Sequence, residues 1–218
     1  MSSEILPTES GVPRAYRSQL RAQQAVDTRR RIVEASARLF ATQGYQATTL
    51  TAIAREAGVS AETVKSAASK AELLIAAFEV TFSGSEAAES LAETEIGGGV
   101  LDLPDEGFLD AVLERITVAN SRGHAVWTVL LGAAASDPVV DAALQGILAH
   151  RAADLRMLVA ELTARGYMTP AADPDATAAA LSFLISPEGY QQLVAQSGWS
   201  TERYVTWLHR AVRSELIR

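Results

Sequence analysis

Residues 51–66 read TAIAREAGVSAETVKS, and this stretch decides the fold. Thr51 to Ala57 is expected to form a short helix that stops at Gly58. A second helix is expected to start behind Ser60 as N-cap, with Ala61, Glu62 and Thr63 in its first turn. Glu62 and Thr63 follow Ser60 by two and three residues, so the capping box is approximate. Two short helices around such a turn have the layout of a helix-turn-helix. The turn needs a residue that tolerates positive φ, which glycine supplies. Val59 would plug the angle between the helices above Ile53 and Ala54, and Ala54 and Ala57 are small enough for close approach. The second helix could then enter a major groove with its N-terminal residues towards the bases. An ordinary αα-hairpin in an all-helical protein has the same turn, so the turn alone leaves both readings open.

Working outward, a helix is expected from Thr28 to Thr42. Ile32, Ala35, Leu39 and Phe40 form one apolar stripe at helical spacing, Asp27 reads as its N-cap and Gly44 as its stop. On the other side a helix starts near Ser69, carries Leu73, Leu74, Ala77 and Phe78, and is expected to end near Ala92. Residues 1–13 hold Pro7, Gly11 and Pro13 without a period and read as disordered. The basic run RAYRSQLRAQQAV, 14–26, reads as a short helix or an arm.

The charge follows the same division. The chain has 218 residues and a net charge of −7. Up to Lys70 it carries ten basic against six acidic residues; from Ala71 onward, nine against twenty. A basic head on an acidic body hints at a nucleic-acid partner. The chain has no cysteine, which removes disulfides, thiolate metal sites and cysteine nucleophiles together. No apolar run approaches the length of a membrane span, and no apolar signal core opens the chain. A cytoplasmic protein with no membrane partner is the expectation. The 40 alanines favour helix.

Residues 28–79 read TRRRIVEASARLFATQGYQATTLTAIAREAGVSAETVKSAASKAELLIAAFE. Ile32 to Phe40, Gly44-Tyr45, Ala47-Thr48-Thr49, Ile53-Ala54, Ala57-Gly58-Val59-Ser60, Thr63-Val64, Lys70 and Leu73-Leu74 stand in an order and spacing that resemble the DNA-binding domain of the TetR family of transcriptional repressors. The resemblance implies an all-α fold, with a three-helix helix-turn-helix domain followed by a larger helical domain for effector binding and dimerisation. The expected divisions are 1–26 as a disordered, basic extension, 27–72 as the DNA-binding domain and 73–218 as the body. The chain departs from the family late in the recognition helix. Lys65 stands where a Tyr is usual, Ala67 and Ala68 replace bulky residues, and the following loop is one residue short.

The resemblance also implies roles. Thr49 and Thr51 would donate to phosphates, and Arg55 would reach backbone or a base. Ser60, Ala61, Glu62, Thr63, Lys65 and Ser66 would form the reading surface. Lys70 would clamp a phosphate. Arg14, Arg17 and Arg21 would follow the backbone or enter the minor groove. The partners implied are double-stranded DNA with a near-palindromic operator, a second copy of the chain and a small-molecule effector.

The body is expected to hold helices over 106–120, 122–135, 139–165, 175–186, 188–197 and 201–217, with Gly97-Gly98-Gly99 as a break and Gly123 and Gly166 near ends or turns. Ala176, Ala179, Ala180, Phe183 and Leu184 form one stripe, and Tyr204, Trp207, Leu208, Ala211, Val212 and Leu216 another. Both are expected at a homodimer face; the competing reading turns them to the chain's own core. Apolar and polar candidates for an effector pocket are Phe108, Val112, Ile116, Asn120, His124, Trp127, Leu131, Met157 and Phe183. Catalysis finds little support. His124, His150 and His209 show no paired metal spacing, and there is no G-x-S-x-G elbow. No cofactor and no metal are expected. The rival reading is a helical adaptor, or a small all-α enzyme, that has lost DNA binding.

Overall fold

The computed structural model describes residues 14–86 and 94–216, and these form helices and turns without strands. The expected disorder of 1–13 and the expected last turns before Ala92 lie outside the described residues. The order is α1 (Arg14–Ala47), α2 (Leu50–Ala57), α3 (Ala61–Ala67), α4 (Lys70–Ser83), α5 (Phe108–Ala134), α6 (Pro138–Ala164), α7 (Pro174–Leu184), α8 (Pro187–Tyr190) and α9 (Thr201–Leu216). A π-helical turn, Gln191–Gln196, continues α8.

Two expectations for α1 are corrected. The leader is neither an arm nor a separate helix, because 14–26 are continuous with the helix that follows. Asp27 is therefore no N-cap. It lies inside α1, and its carboxylate accepts from Gln23 and Arg30 on adjacent turns. Gly44 does break the helix, at φ 77° and ψ 175°, a conformation that disfavours side chains.

The turn sequences act locally as expected. Thr49 caps α2, its hydroxyl accepting from the Ala52 N–H at 3.1 Å. Gly58 sits at φ 66°, and the Val59 N–H reaches back to the Ala54 carbonyl at 3.0 Å. That six-to-one bond closes the helix as a Schellman motif does. Ser60 caps α3 through the Thr63 N–H at 3.0 Å. Ser69 and Glu72 form a complete capping box at the start of α4.

One apolar cluster runs through the head and into the body. Ile32 and Phe40 of α1, Ile53 of α2, Val64 of α3 and Leu73, Leu74 and Phe78 of α4 meet Trp127 and Leu130 of α5 and Val140 of α6. Phe78 and Trp127 lie 5.1 Å apart. A division at 72 thus falls within α4, whose buried face belongs to both parts.

α4 ends earlier than expected, at Ser83 with Gly84 in the left-handed region at φ 85°. The two helices expected over 106–135 are one, α5. Gly123 is no terminus but a contact point, where an added Cβ would meet Phe82 side-chain atoms at 3.2 Å. α6, α7 and α9 begin and end within about two residues of expectation, whereas the helix expected over 188–197 is α-helical only to Tyr190 and π-helical from Gln191 to Gln196; Pro138, Pro174 and Pro187 take first-turn positions.

A second cluster closes the far end of the body. Phe108, Leu109 and Leu113 of α5, Leu155 and Val159 of α6, and Leu181 of α7 surround Tyr204, Leu208 and Val212 of α9. These three α9 residues are fully buried within their own chain, which corrects their expected place at a dimer face. An i, i+4, i+8 stripe shows that a helix face is covered, not by what.

Candidate nucleic-acid interface

α2 and α3 stand at one end of the molecule, each anchored by a few apolar residues. Ile53, Ala54 and Ala57 hold α2, and Val64 is the buried residue of α3. What remains of α3 faces solvent. Glu62, Lys65 and Ser66 are exposed and Thr63 is half-buried. Ser60 is exposed at the cap, and its hydroxyl pairs with that of Thr63 at 2.7 Å. Ser66 turns its hydroxyl onto the Glu62 carbonyl at 2.7 Å. Ala61 packs partly against the core, so it contributes shape rather than polar contact. On α2, Thr49, Thr51 and Arg55 are exposed. These residues include solvent-facing hydroxyls and cations beside two helix starts, groups that suit phosphate contact.

One expected contact, Lys70, sits differently. Lys70 is half-buried; its ammonium donates to the Gln46 carbonyl at 3.3 Å and stands 4.5 Å over the Tyr45 ring. Burial pushes its pKa down, and the Asp137 carboxylate partly offsets this. Arg14 and Arg17 lie on helical backbone, with side chains outside the described residues. Arg21 is exposed on α1.

Around α2 and α3 runs a set of contacts that the sequence did not reveal. Arg38 pairs with Glu56 at 3.0 Å, tying α1 to α2. Tyr45 donates its hydroxyl to Asp137 at 2.7 Å, and Asp137 also caps α6 through the Val139 N–H. The Tyr45 hydrogen bond holds the Asp137 carboxyl below its usual range. Burial, with Asp137 adding to it, pushes the Tyr45 phenol well above its own. Arg29 joins three segments, donating to the Ala67 carbonyl and to Glu86. The run Arg29-Arg30-Arg31 was visible, but nothing in it marked the first arginine.

The pocket candidates divide. Phe108 and Val112 are core residues, with Ile116 packed against them. Trp127 belongs to the cluster shared with the head. Asn120 is buried and donates to the Ile185 carbonyl at 3.0 Å, leaving its own Oδ1 without a partner. His124 contacts the Gln191 amide and lies 5.3 Å from the Tyr190 ring. Leu131, Met157 and Phe183 are exposed, so they cannot line an interior pocket. Phe183 instead borders an open groove between α7 and α9 with Ala180, Leu184, Ala211 and Ser214. Ala176 and Ala179 are exposed on the same helix. Trp207 is half-buried, its ring 6.3 Å from that of Trp199. Among the described residues there is no cluster of potential metal ligands and no helix long and apolar enough to cross a membrane.

A helix-turn-helix that presents the outer face of α3, ahead of a larger helical body, has the layout of a DNA-binding head joined to a separate helical domain. Residues 32–77 match the family of bacterial regulatory proteins described as tetR. A search of curated proteins gives no significant match. Solved structures share the fold over nearly the whole chain. A Rhodococcus protein described as a TetR-family transcriptional regulator superposes with a TM-score of 0.68 at 21% identity, covering 88% of this chain and 99% of its own. A Saccharomonospora viridis transcriptional regulator, solved with choline, gives 0.68 at 22% identity, covering 87% and 97%. NalD, the secondary repressor of the MexAB-OprM multidrug efflux pump in Pseudomonas aeruginosa, gives 0.63 at 18%, covering 90% and 98%.

Proposed function

We propose that the chain is a homodimeric repressor that binds a near-palindromic operator and releases it on taking up a small molecule. The observation that carries this reading is the outward face of α3, where Glu62, Lys65 and Ser66 stand clear of the core with Thr63 beside them. Lys65 is the cation of that face and would meet a phosphate as a point charge. Thr49, Thr51 and Arg55 would fix the register from α2. The exposed Ala176, Ala179 and Phe183 of α7, beside the groove to α9, offer a surface for a second copy. A two-fold pair would set its α3 helices on successive turns of one DNA face.

An effector in the body would act by favouring a pair whose heads no longer match the operator spacing. It can do so only to the extent that it binds that state more tightly. We assign Asn120, with a buried acceptor lacking a partner, and His124 as the polar groups that would meet it. The Saccharomonospora relative holds choline, so small organic ligands of that size belong in the first release assay.

Selection of bound fragments from genomic DNA tests the reading. With about six phosphates contacted, affinity should fall by roughly 10³-fold or more between 50 and 200 mM salt. Lys65→Ala should weaken binding and leave the dimer intact. A flat salt response, or no fragment retained, rejects it.

A further inference from the structure

α3 lacks the bulky residues that would wedge its last turn against the head. Ala67 is exposed, Ala68 carries only a methyl group, and Val64 is the single buried side chain of the helix. The last carbonyls of a helix have no partner within it and carry partial negative charge. Here a cation from another helix meets one. Arg29 of α1 donates Nη1 to the Ala67 carbonyl at 3.0 Å. Its other two nitrogens, Nε and Nη2, both donate to Glu86 Oε2, at 3.1 and 2.9 Å. The guanidinium is a rigid planar fork. Glu86, by holding one side of it, aims the other side at α3. Glu86 itself stands just beyond Gly84, where the chain leaves α4.

We propose that Arg29, oriented by Glu86, is a positioning residue for the recognition helix. It fixes the last turn of α3 in place of the missing wedge and does not touch DNA. Three of its five N–H donors are already engaged within the chain, one on each nitrogen. The strap also makes the angle of α3 depend on the segment leaving α4, the connection between head and body. This inference rests on the DNA-binding reading above.

The test compares the full-length chain with Arg29→Lys and Glu86→Gln. The probes are a genomic fragment selected by the unaltered protein and a scrambled duplex of equal length. Lysine keeps the charge of Arg29 but not the fork. Glutamine removes an anion, so if charge alone governed binding, Glu86→Gln would bind DNA more tightly. Positioning predicts the reverse. Both variants should lose about tenfold on the selected fragment, the effect of one charge-assisted hydrogen bond, and should hold the scrambled duplex within about twofold at an unchanged salt slope. A direct phosphate contact would instead weaken both duplexes alike for Arg29→Lys, and Arg29→Gln, which removes the charge, would flatten the slope by about one unit. Unchanged affinity for the selected fragment, tighter binding by Glu86→Gln or that flattened slope each overturns the proposal.

A second measurement needs no DNA. The Ala68 N–H, bonded to the Val64 carbonyl at 3.1 Å, should exchange with solvent about tenfold faster in both variants, while the amides of α2 keep their rates. Equal exchange at Ala68 overturns the proposal even if no fragment is ever selected, an outcome that would itself reject only the DNA-binding reading.

Discussion

Tyr45 at the end of α1 and Asp137 at the start of α6 meet through a 2.7 Å hydrogen bond across 92 positions of sequence. The same carboxylate caps α6, so one side chain fixes both the helix start and its seat on the head. Tyr45→Phe removes the bond and leaves the cap. The melting temperature should fall by about 2–4 °C, the effect of one hydrogen bond in a protein of this size. Asp137→Ala loses both and should fall further. Differential scanning calorimetry checks the order of the three proteins, and equal melts for wild type and Tyr45→Phe would show the bond to be idle.

Acid should reveal the same contact. The pKa of Asp137 is depressed in the fold, chiefly by the Tyr45 hydroxyl. Its contribution is therefore complete above the ordinary carboxylate value of about 4 and is lost as pH falls through the lower folded value. Between about pH 5 and 2, Asp137→Asn should lose less stability than wild type, as followed by urea melts at stepped pH. Parallel losses would contradict this.

Tyr204 predicts the opposite end of the scale. It is fully buried, and its hydroxyl makes no well-formed hydrogen bond. Burial pushes its pKa up to about 12, partly offset by the neighbouring Asn120. A raised folded pKa gives a contribution intact below about 10 and lost as pH rises towards 12. Tyr204→Phe removes an unpaired buried hydroxyl, which is close to neutral. It should match wild type at pH 8 within about 0.5 kcal/mol and be the more stable protein at pH 11.

Two glycines of α5 should respond in opposite ways to alanine. Gly132 has open space around it, so Gly132→Ala should stabilise by about 0.5–1 kcal/mol through lower backbone freedom in the unfolded chain. At Gly123 an added Cβ meets Phe82 at 3.2 Å and its Cα at 3.3 Å. A side chain can turn away, but a backbone atom cannot. Gly123→Ala should lower the melting temperature by spreading α4 from α5. A stabilised Gly123→Ala would mean that the two helices slide freely.

Phe183 is 78% exposed. If it seats a second copy, Phe183→Asp should convert a dimer to a monomer by light scattering at micromolar concentration, with the head's helix content unchanged. A wild-type monomer, or a dimer that tolerates the aspartate, removes α7 from the interface.

The head was legible because its decisive residues act on immediate neighbours. Ser60, Ser69 and Gly58 cap or terminate helices within a few positions, and those signals survive without tertiary context. The leader was not, because a helix exposed on most sides has no apolar period to read. Gly123 misled because glycine marks both chain turns and close helix contacts. The stripe Tyr204, Leu208, Val212 was real, yet its partner was α5 and not a second subunit. Arg29 with Glu86 and Tyr45 with Asp137 are separated by 57 and 92 positions, and no local pattern encodes such pairs.

The continuity of α1 from Arg14 past Asp27 gives the basic leader a mechanical character. Thirteen residues precede Asp27 on the described helix, a stiff lever of about 20 Å at 1.5 Å per residue. A loose tail would surrender about 1–2 kcal/mol of backbone freedom per residue on settling onto DNA; a lever surrenders almost none. It is also phase-locked. Inserting one residue near Gln24 would swing Arg14, Arg17 and Arg21 by about 100° around the axis relative to the head, a rotation to which a tail would be indifferent.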